Sequence, residues 1–201
     1  LDLLDGVQWC ISRGITTKGK VGIMGASYGG YATLAALAFT PQEFAVGVDI
    51  VGISSLITVM QKVPNYWDFP SSPLSDKEIF YTKGAFIKSM GGDFESPEGR
   101  AFLESRSPIH FAHQITSPLL IVQGDNDPIV NNQESDQIFS QLKKQNKVVS
   151  YLSFPDEGHG FRRYANIDAY LSHVEKWLSK YLGGAVVPLF ADFAEKTSLF
   201  I

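Results

Sequence analysis

A serine hydroxyl is a poor nucleophile at neutral pH unless a neighbouring base takes its proton. That base in turn needs an acid to hold its tautomer and stabilise its cation. The chain carries residues for all three tasks. Gly25-Ala26-Ser27-Tyr28-Gly29 fits G-x-S-x-G, the pattern of a serine on a sharp strand-to-helix turn, where small residues on either side let strand and helix approach closely. His159 lies between Gly158 and Gly160, which free the backbone to present an imidazole. Two acids precede it, Asp125 and Asp127, and Pro128 biases Asp127 toward extended backbone; spacing alone does not choose between them. Serine, acid and base in that order suit acyl transfer through a covalent intermediate. His110 and His113 stand three apart with no carboxylate or cysteine pattern to complete a metal set, so they and His173 read as ordinary polar residues, and no cofactor is expected.

The pentapeptide is a weak signal by itself, so its weight rests on the elements around it. Residues 20–26 (KVGIMGA) form a short apolar strand, and a helix rich in alanine follows the turn and ends before Pro41. The start of that helix also places a positive dipole where an oxyanion would form. Residues 44–52, 118–124 and 147–155 read as three further buried strands. Helices are expected over 1–13, 132–144 and about 168–182. Apolar strands alternating with amphipathic helices define an α/β class, a parallel sheet covered on both faces, with Ser27, Asp127 and His159 at carboxyl ends of strands. Residues 53–117 interrupt the alternation with aromatic, Pro- and Gly-rich sequence, including Tyr66 and Trp67, and read as an excursion over the end of the sheet.

Composition narrows the function classes. The 201 residues are 44% hydrophobic and carry a net charge of −4, enough for one globular domain. Without a basic block, nucleic acid and anionic membrane have no source of attraction. A single cysteine, Cys10, excludes an internal disulfide and any zinc site of several thiolates, and reads as a core residue. No apolar run reaches the roughly 18–20 residues that span a bilayer, and the chain opens without a basic segment followed by an apolar one; a soluble, cytoplasmic protein is expected.

Five segments together resemble the catalytic domain of the prolyl oligopeptidase family of serine peptidases, in its acylaminoacyl-peptidase and dipeptidyl-peptidase-like branch. They are residues 22–31 (GIMGASYGGY), 47–52 (GVDIVG), 106–108 (RSP), 124–130 (GDNDPIV) and 154–161 (FPDEGHGF). The resemblance runs from Leu1 to about Gly184 and implies the C-terminal part of an α/β-hydrolase fold. It implies Ser27 as nucleophile, His159 as base and Asp127 as its orienter, the G-x-x-D-x-x-V pattern selecting Asp127 over Asp125. It also implies that the Tyr28 amide donates to the oxyanion, and that Tyr31, Val51, Tyr66 and Trp67 approach the side-chain pocket.

The implied activity is hydrolysis of short peptides through an acyl-enzyme, with a small-ester carboxylesterase as the rival in the same fold. The family's β-propeller and the first half of its hydrolase fold have no counterpart here, so impaired turnover is expected, and a silent fragment acting through association is the alternative from another class. Residues 185–201 extend past the family pattern as a tail. Because the strand around Val21–Met24 lies mid-sheet in that fold, its free edge implies a complementing N-terminal fragment or a two-fold homodimer, in which two half-sheets meet or the Val186–Phe190 stretch covers the edge.

Overall fold

The sheet is built from four short strands whose composition dictates double-sided burial. In the computed structural model, which describes residues 2–63, 83–187 and 197–200, these are β1 (Gly22–Ala26), β2 (Val46–Ile50), β3 (Leu119–Gly124) and β4 (Val149–Phe154). They lie in the order β1-β2-β3-β4, all parallel. β3 is buried along its whole length, and its side chains alternate between faces as the pleat requires. Leu119 and Ile121 join one core, with Leu34, Leu37, Ile138 and Leu142. Leu120 and Val122 join the other, with Leu152, Phe154, Ala169 and Val174.

The helices that supply these partners are α1 (Asp2–Ser12), α2 (Tyr28–Phe39) and α6 (Gln133–Lys144) on the first face, and α7 (Tyr164–Leu182) on the second. Gly47 of β2 lets α2 close on the sheet, since a Cβ there would meet the Leu37 side chain. Among the described residues no helix is long and apolar enough to cross a membrane.

Within residues 53–117, the described residues 53–63 and 83–117 form several short helices. They contain α3 (Leu56–Lys62), α4 (Lys83–Ser89), α5 (Pro97–Arg106) and a 3-10 helix (Pro108–Gln114). Ile53, Leu56, Met60 and Leu103 pack with Val130 into a third cluster, beyond the carboxyl ends of β2 and β3. Glu134 ties this layer to the sheet. Its Oε2 accepts from the backbone N–H groups of Ser54 (3.0 Å) and Ser55 (2.8 Å), and its Oε1 accepts from Thr58. A buried carboxylate thus satisfies donors at the start of α3 that no helical carbonyl reaches.

One expectation is corrected. The last helix begins at Tyr164, four residues before the sequence pattern suggests, because the Glu157 carboxylate accepts the N–H groups of Arg162 and Arg163 just ahead of it. Of residues 185–201, Phe200 pairs antiparallel with Ser153 on the outer edge of β4; residues 188–190, in the stretch expected to cover the β1 edge, lie outside the described residues.

Replacing Glu134 by Ala should therefore lower stability by about 2–3 kcal/mol, since buried N–H donors lose a charged acceptor. Glu134→Gln, which keeps one acceptor oxygen, should lose less. Urea unfolding of both variants measures the difference, and equal loss from the two would contradict the role given to the carboxylate.

Candidate active site

Ser27 sits between β1 and α2 with φ 59° and ψ −118°, a backbone conformation that L-residues rarely adopt. Surrounding contacts hold it there. Its N–H donates to Ile50 O (2.9 Å) at the end of β2, and its C=O accepts from Tyr31 N–H (3.0 Å). Gly25 is required sterically, because a Cβ would overlap the Gly29 carbonyl, whereas a Cβ on Gly29 itself meets nothing outside its own helix. Gly30 and Gly52 touch across the same turn. Val51, beside them, is also forced to positive φ, at 44°. Backbone strain of this kind at two non-glycine residues clusters at active sites.

The remaining groups converge from two other strand ends. His159 Nε2 lies 2.9 Å from Ser27 Oγ, and its Nδ1 lies 2.7 Å from Asp127 Oδ2. Because a carboxylate only accepts, Nδ1 carries the proton, and Nε2 of the neutral ring accepts from the serine hydroxyl. The other Asp127 oxygen accepts the N–H groups of Ile129 (2.8 Å) and Val130 (2.9 Å), which fixes the carboxylate in a buried position. Asp125 faces elsewhere, accepting from Ser153 Oγ at 2.6 Å. The loops after β3 and β4 meet where Asn126 N–H donates to Glu157 O (2.9 Å), and the lack of a side chain on Gly124 lets Gly158 approach.

The sequence-derived pocket residues are distributed differently. A cleft of about 60 Å³ beside Ser27 is lined by Tyr28, Ile53, Val59, Val63, Phe86, Ile129 and Val130. Tyr28 reaches it, and its ring packs against Tyr31 in a tilted arrangement with centroids 5.4 Å apart. The Tyr31 hydroxyl donates to Arg106 O (3.0 Å), and Val51 is buried in the strained turn; neither lines the cleft. Tyr66 and Trp67 lie outside the described residues. As the first residue of α2, Tyr28 has an amide with no intrahelical acceptor, and that amide stands next to Ser27. Sequence reasoning missed Ile53, Val59, Val63 and Phe86; the only signal was their place in apolar runs after β2 and before α5.

It also missed the acids behind the site. Asp49, at the end of β2, is fully buried against Gly30 and Gly52. Burial pushes its carboxyl up from 3.8 to about 7, and the nearby Glu134 adds to the rise. The Gly52 amide pulls the other way without closing a hydrogen bond of acceptable geometry. Burial raises Glu134 as well. Among the described residues no group of His, Cys, Asp and Glu is arranged to hold a metal.

A strand-turn-helix serine facing an imidazole and an acid, each at the carboxyl end of a parallel strand, defines an α/β-hydrolase fold. Residues 1–86 and 69–185 match the profile of the prolyl oligopeptidase family, and the chain belongs to that family. It is 46% identical over 187 residues to dipeptidyl peptidase family member 6 of Caenorhabditis elegans, covering 93% of this chain and 24% of that protein. It is 47% identical over 192 residues to dipeptidyl aminopeptidase BIII of Pseudoxanthomonas mexicana, covering 96% of this chain and 26% of that protein. The chain thus spans about a quarter of the length of these relatives. Among solved structures, a puromycin-hydrolyzing peptidase of Mycobacterium tuberculosis superposes with a TM-score of 0.73 and 26% identity, over 90% of this chain and 24% of that one. An acylaminoacyl peptidase of Pyrococcus horikoshii, at 24% identity and a TM-score of 0.69 over 92% of this chain and 28% of that one, shares the fold.

Since Asp49 holds its proton in the folded state above the pH at which the unfolded chain loses it, its contribution to stability is complete below about pH 4 and is lost as pH rises toward about 7. Asp49→Asn should flatten that fall, leaving the part that belongs to Glu134. Urea unfolding at both ends of the range measures it; an unchanged slope would contradict the assignment.

Proposed function

We propose that this site hydrolyses peptide bonds of short peptides through an acyl-enzyme, with Ser27 as nucleophile, His159 as general base and acid, and Asp127 as the group that orients the ring. The observation that carries the reading is the continuous line from Ser27 Oγ through the imidazole to Asp127 at 2.9 and 2.7 Å. In the first step Ser27 Oγ attacks the substrate carbonyl carbon as Nε2 takes the hydroxyl proton. The imidazolium is stabilised by Asp127, and the developing oxyanion lies by the Tyr28 amide and the start of α2. Collapse breaks the C–N bond, and Nε2 returns the proton to the leaving amine. Water then repeats the sequence on the acyl ester, with His159 again taking a proton and delivering it to Ser27.

The cleft of about 60 Å³ suits a small apolar side chain on the residue whose carbonyl is attacked. Short peptides as the substrate class rest on the dipeptidyl names of the two relatives at 46% and 47% identity. Turnover by the chain alone is expected to be slow. Tyr28 supplies one oxyanion donor, and loss of a second costs on the order of 10²–10³ in rate. A fluorophosphonate probe should label Ser27 in the folded chain, and Ser27→Ala should abolish labelling. Asp127→Asn should slow it by roughly 10³–10⁴-fold. Comparison of peptide anilides with p-nitrophenyl esters separates a peptidase from an esterase, and absence of labelling in the folded chain would leave the silent-fragment alternative.

We also propose that the chain associates through the outer edge of β1 as a two-fold dimer. On that side β1 has no partner strand among the described residues, and Met24 is 55% exposed in an apolar groove with Leu3, Val7, Ile15, Val21 and Phe44. Unpaired backbone beside apolar surface favours strand addition. Sedimentation should show a species twice the chain mass of 22.2 kDa, and Met24→Lys should return it to that mass. A monomer at micromolar concentration with freely exchanging β1 amides would overturn the proposal.

A further inference from the structure

The match to the family ends at residue 185, yet residues 197–200 return to the sheet and bind the segment that presents His159. Phe200 N–H donates to Ser153 O (2.8 Å), and Ser153 N–H donates to Phe200 O (2.9 Å), extending the sheet by one bridge beyond β4. Leu199 packs against the core beneath α7. Thr197 Oγ1 (2.9 Å) and Ser198 N–H (3.0 Å) both donate to Asn166 Oδ1, and Ser198 Oγ donates to Asp156.

Asn166 is where these contacts meet the site. It is fully buried, and its Nδ2 donates to Asp156 Oδ1 and to Glu157 Oε1, each at 2.9 Å. Its two acceptor sites are taken by the tail and its two donors by the loop, so its amide has no spare valence and one orientation. Glu157, held by that amide, accepts the N–H groups of Arg162 and Arg163 with its carboxylate. Its carbonyl accepts from Asn126 in the Asp127 loop. Glu157 therefore closes both ends of the Gly158–Phe161 loop. His159 sits in that loop between two glycines, which give its backbone no stiffness of their own. Ser153, paired with Phe200, also donates its hydroxyl to Asp125, two residues from Asp127.

We propose that residues 197–200 are a positioning segment for His159, acting through Asn166 and Glu157. The proposal rests on the reading of Ser27, Asp127 and His159 as the reacting groups. A tail that merely shields the edge of β4 would act through the backbone pairing of Phe200 and would leave chemistry unchanged when its side-chain bonds are removed. The two roles therefore predict different behaviour for Thr197→Val combined with Ser198→Ala, which keeps the backbone pairing and removes the hydroxyls.

The full chain and this double variant are compared by fluorophosphonate labelling of Ser27 and by p-nitrophenyl ester hydrolysis. A misplaced base lowers the rate of bond making without altering ester binding, so labelling and kcat should both fall roughly tenfold with KM unchanged. The single conservative variant Ser198→Thr, which keeps a hydroxyl, should retain the full rate. Amide exchange at Gly158, His159 and Gly160 should quicken in the double variant and stay slow in Ser198→Thr, a readout that does not depend on turnover. Unchanged labelling and unchanged exchange in the double variant would overturn the proposal while leaving the assignment of the site intact. A full chain that does not label would overturn that assignment and the positioning role together.

Discussion

At the turn between β1 and α2 three backbone segments come into contact, and this contact has consequences throughout the molecule. Ser27 is held at positive φ because its N–H reaches Ile50 O on the neighbouring strand while α2 must start at once after β1. That approach is possible only where side chains are missing. Gly25 lies under the Gly29 carbonyl, and Gly30 lies against Gly52. The cost of the backbone conformation, of order 1–3 kcal/mol for such a residue, is offset by the cores on either side of the sheet. In return the serine hydroxyl stands clear of both elements, at the end of the helix dipole and facing the strand ends from which His159 and Asp127 come.

Around that turn, buried acids organise backbone that regular structure leaves unpaired. Glu134 gathers donors at the start of α3, Asp127 gathers those of Ile129 and Val130, and Glu157 gathers those of Arg162 and Arg163. In each case a carboxylate accepts several N–H groups from a segment that would otherwise be a loose loop, and charge-assisted bonds of this kind are short and directional. Asp49 is the exception. It touches the turn without satisfied oxygens, and its raised pKa reflects burial in place of partnership. Asp127 and Glu157, by contrast, have their oxygens engaged by donors.

The two edges of the sheet are treated differently. The β4 edge carries residues 197–200, whose polar side chains engage Asn166 and Asp156. The β1 edge carries an apolar groove and no strand among the described residues. β1 is also the strand from which the Ser27 turn departs, so this edge lies beside that turn.

The fold class and the candidate residues Ser27 and His159 were legible in the sequence because their signals are local. G-x-S-x-G between an apolar strand and an alanine-rich helix identifies the turn, glycines flank His159, and the alternation of strand and helix patterns implies a parallel sheet. Spacing alone left Asp125 and Asp127 open, and only the G-x-x-D-x-x-V pattern of the family resemblance favoured Asp127. Two acids in one loop differ only in which partner each meets, and the structure pairs Asp125 with Ser153 and Asp127 with His159. The cleft lining was likewise undetermined, because Ile53, Val59, Val63 and Phe86 are ordinary apolar residues until the layer over the strand ends brings them beside Ser27. Glu134 and Asn166 gave no signal at all, since a buried polar group is recognised by its partners, and theirs include residues roughly 30 to 80 positions away. Periodicity and turn chemistry are written in neighbouring residues, so the sequence by itself determined which groups are present and on which elements. Only the tertiary structure decided which of them meet, because hydrogen bonds and close contacts depend on distances in space that sequence separation does not encode.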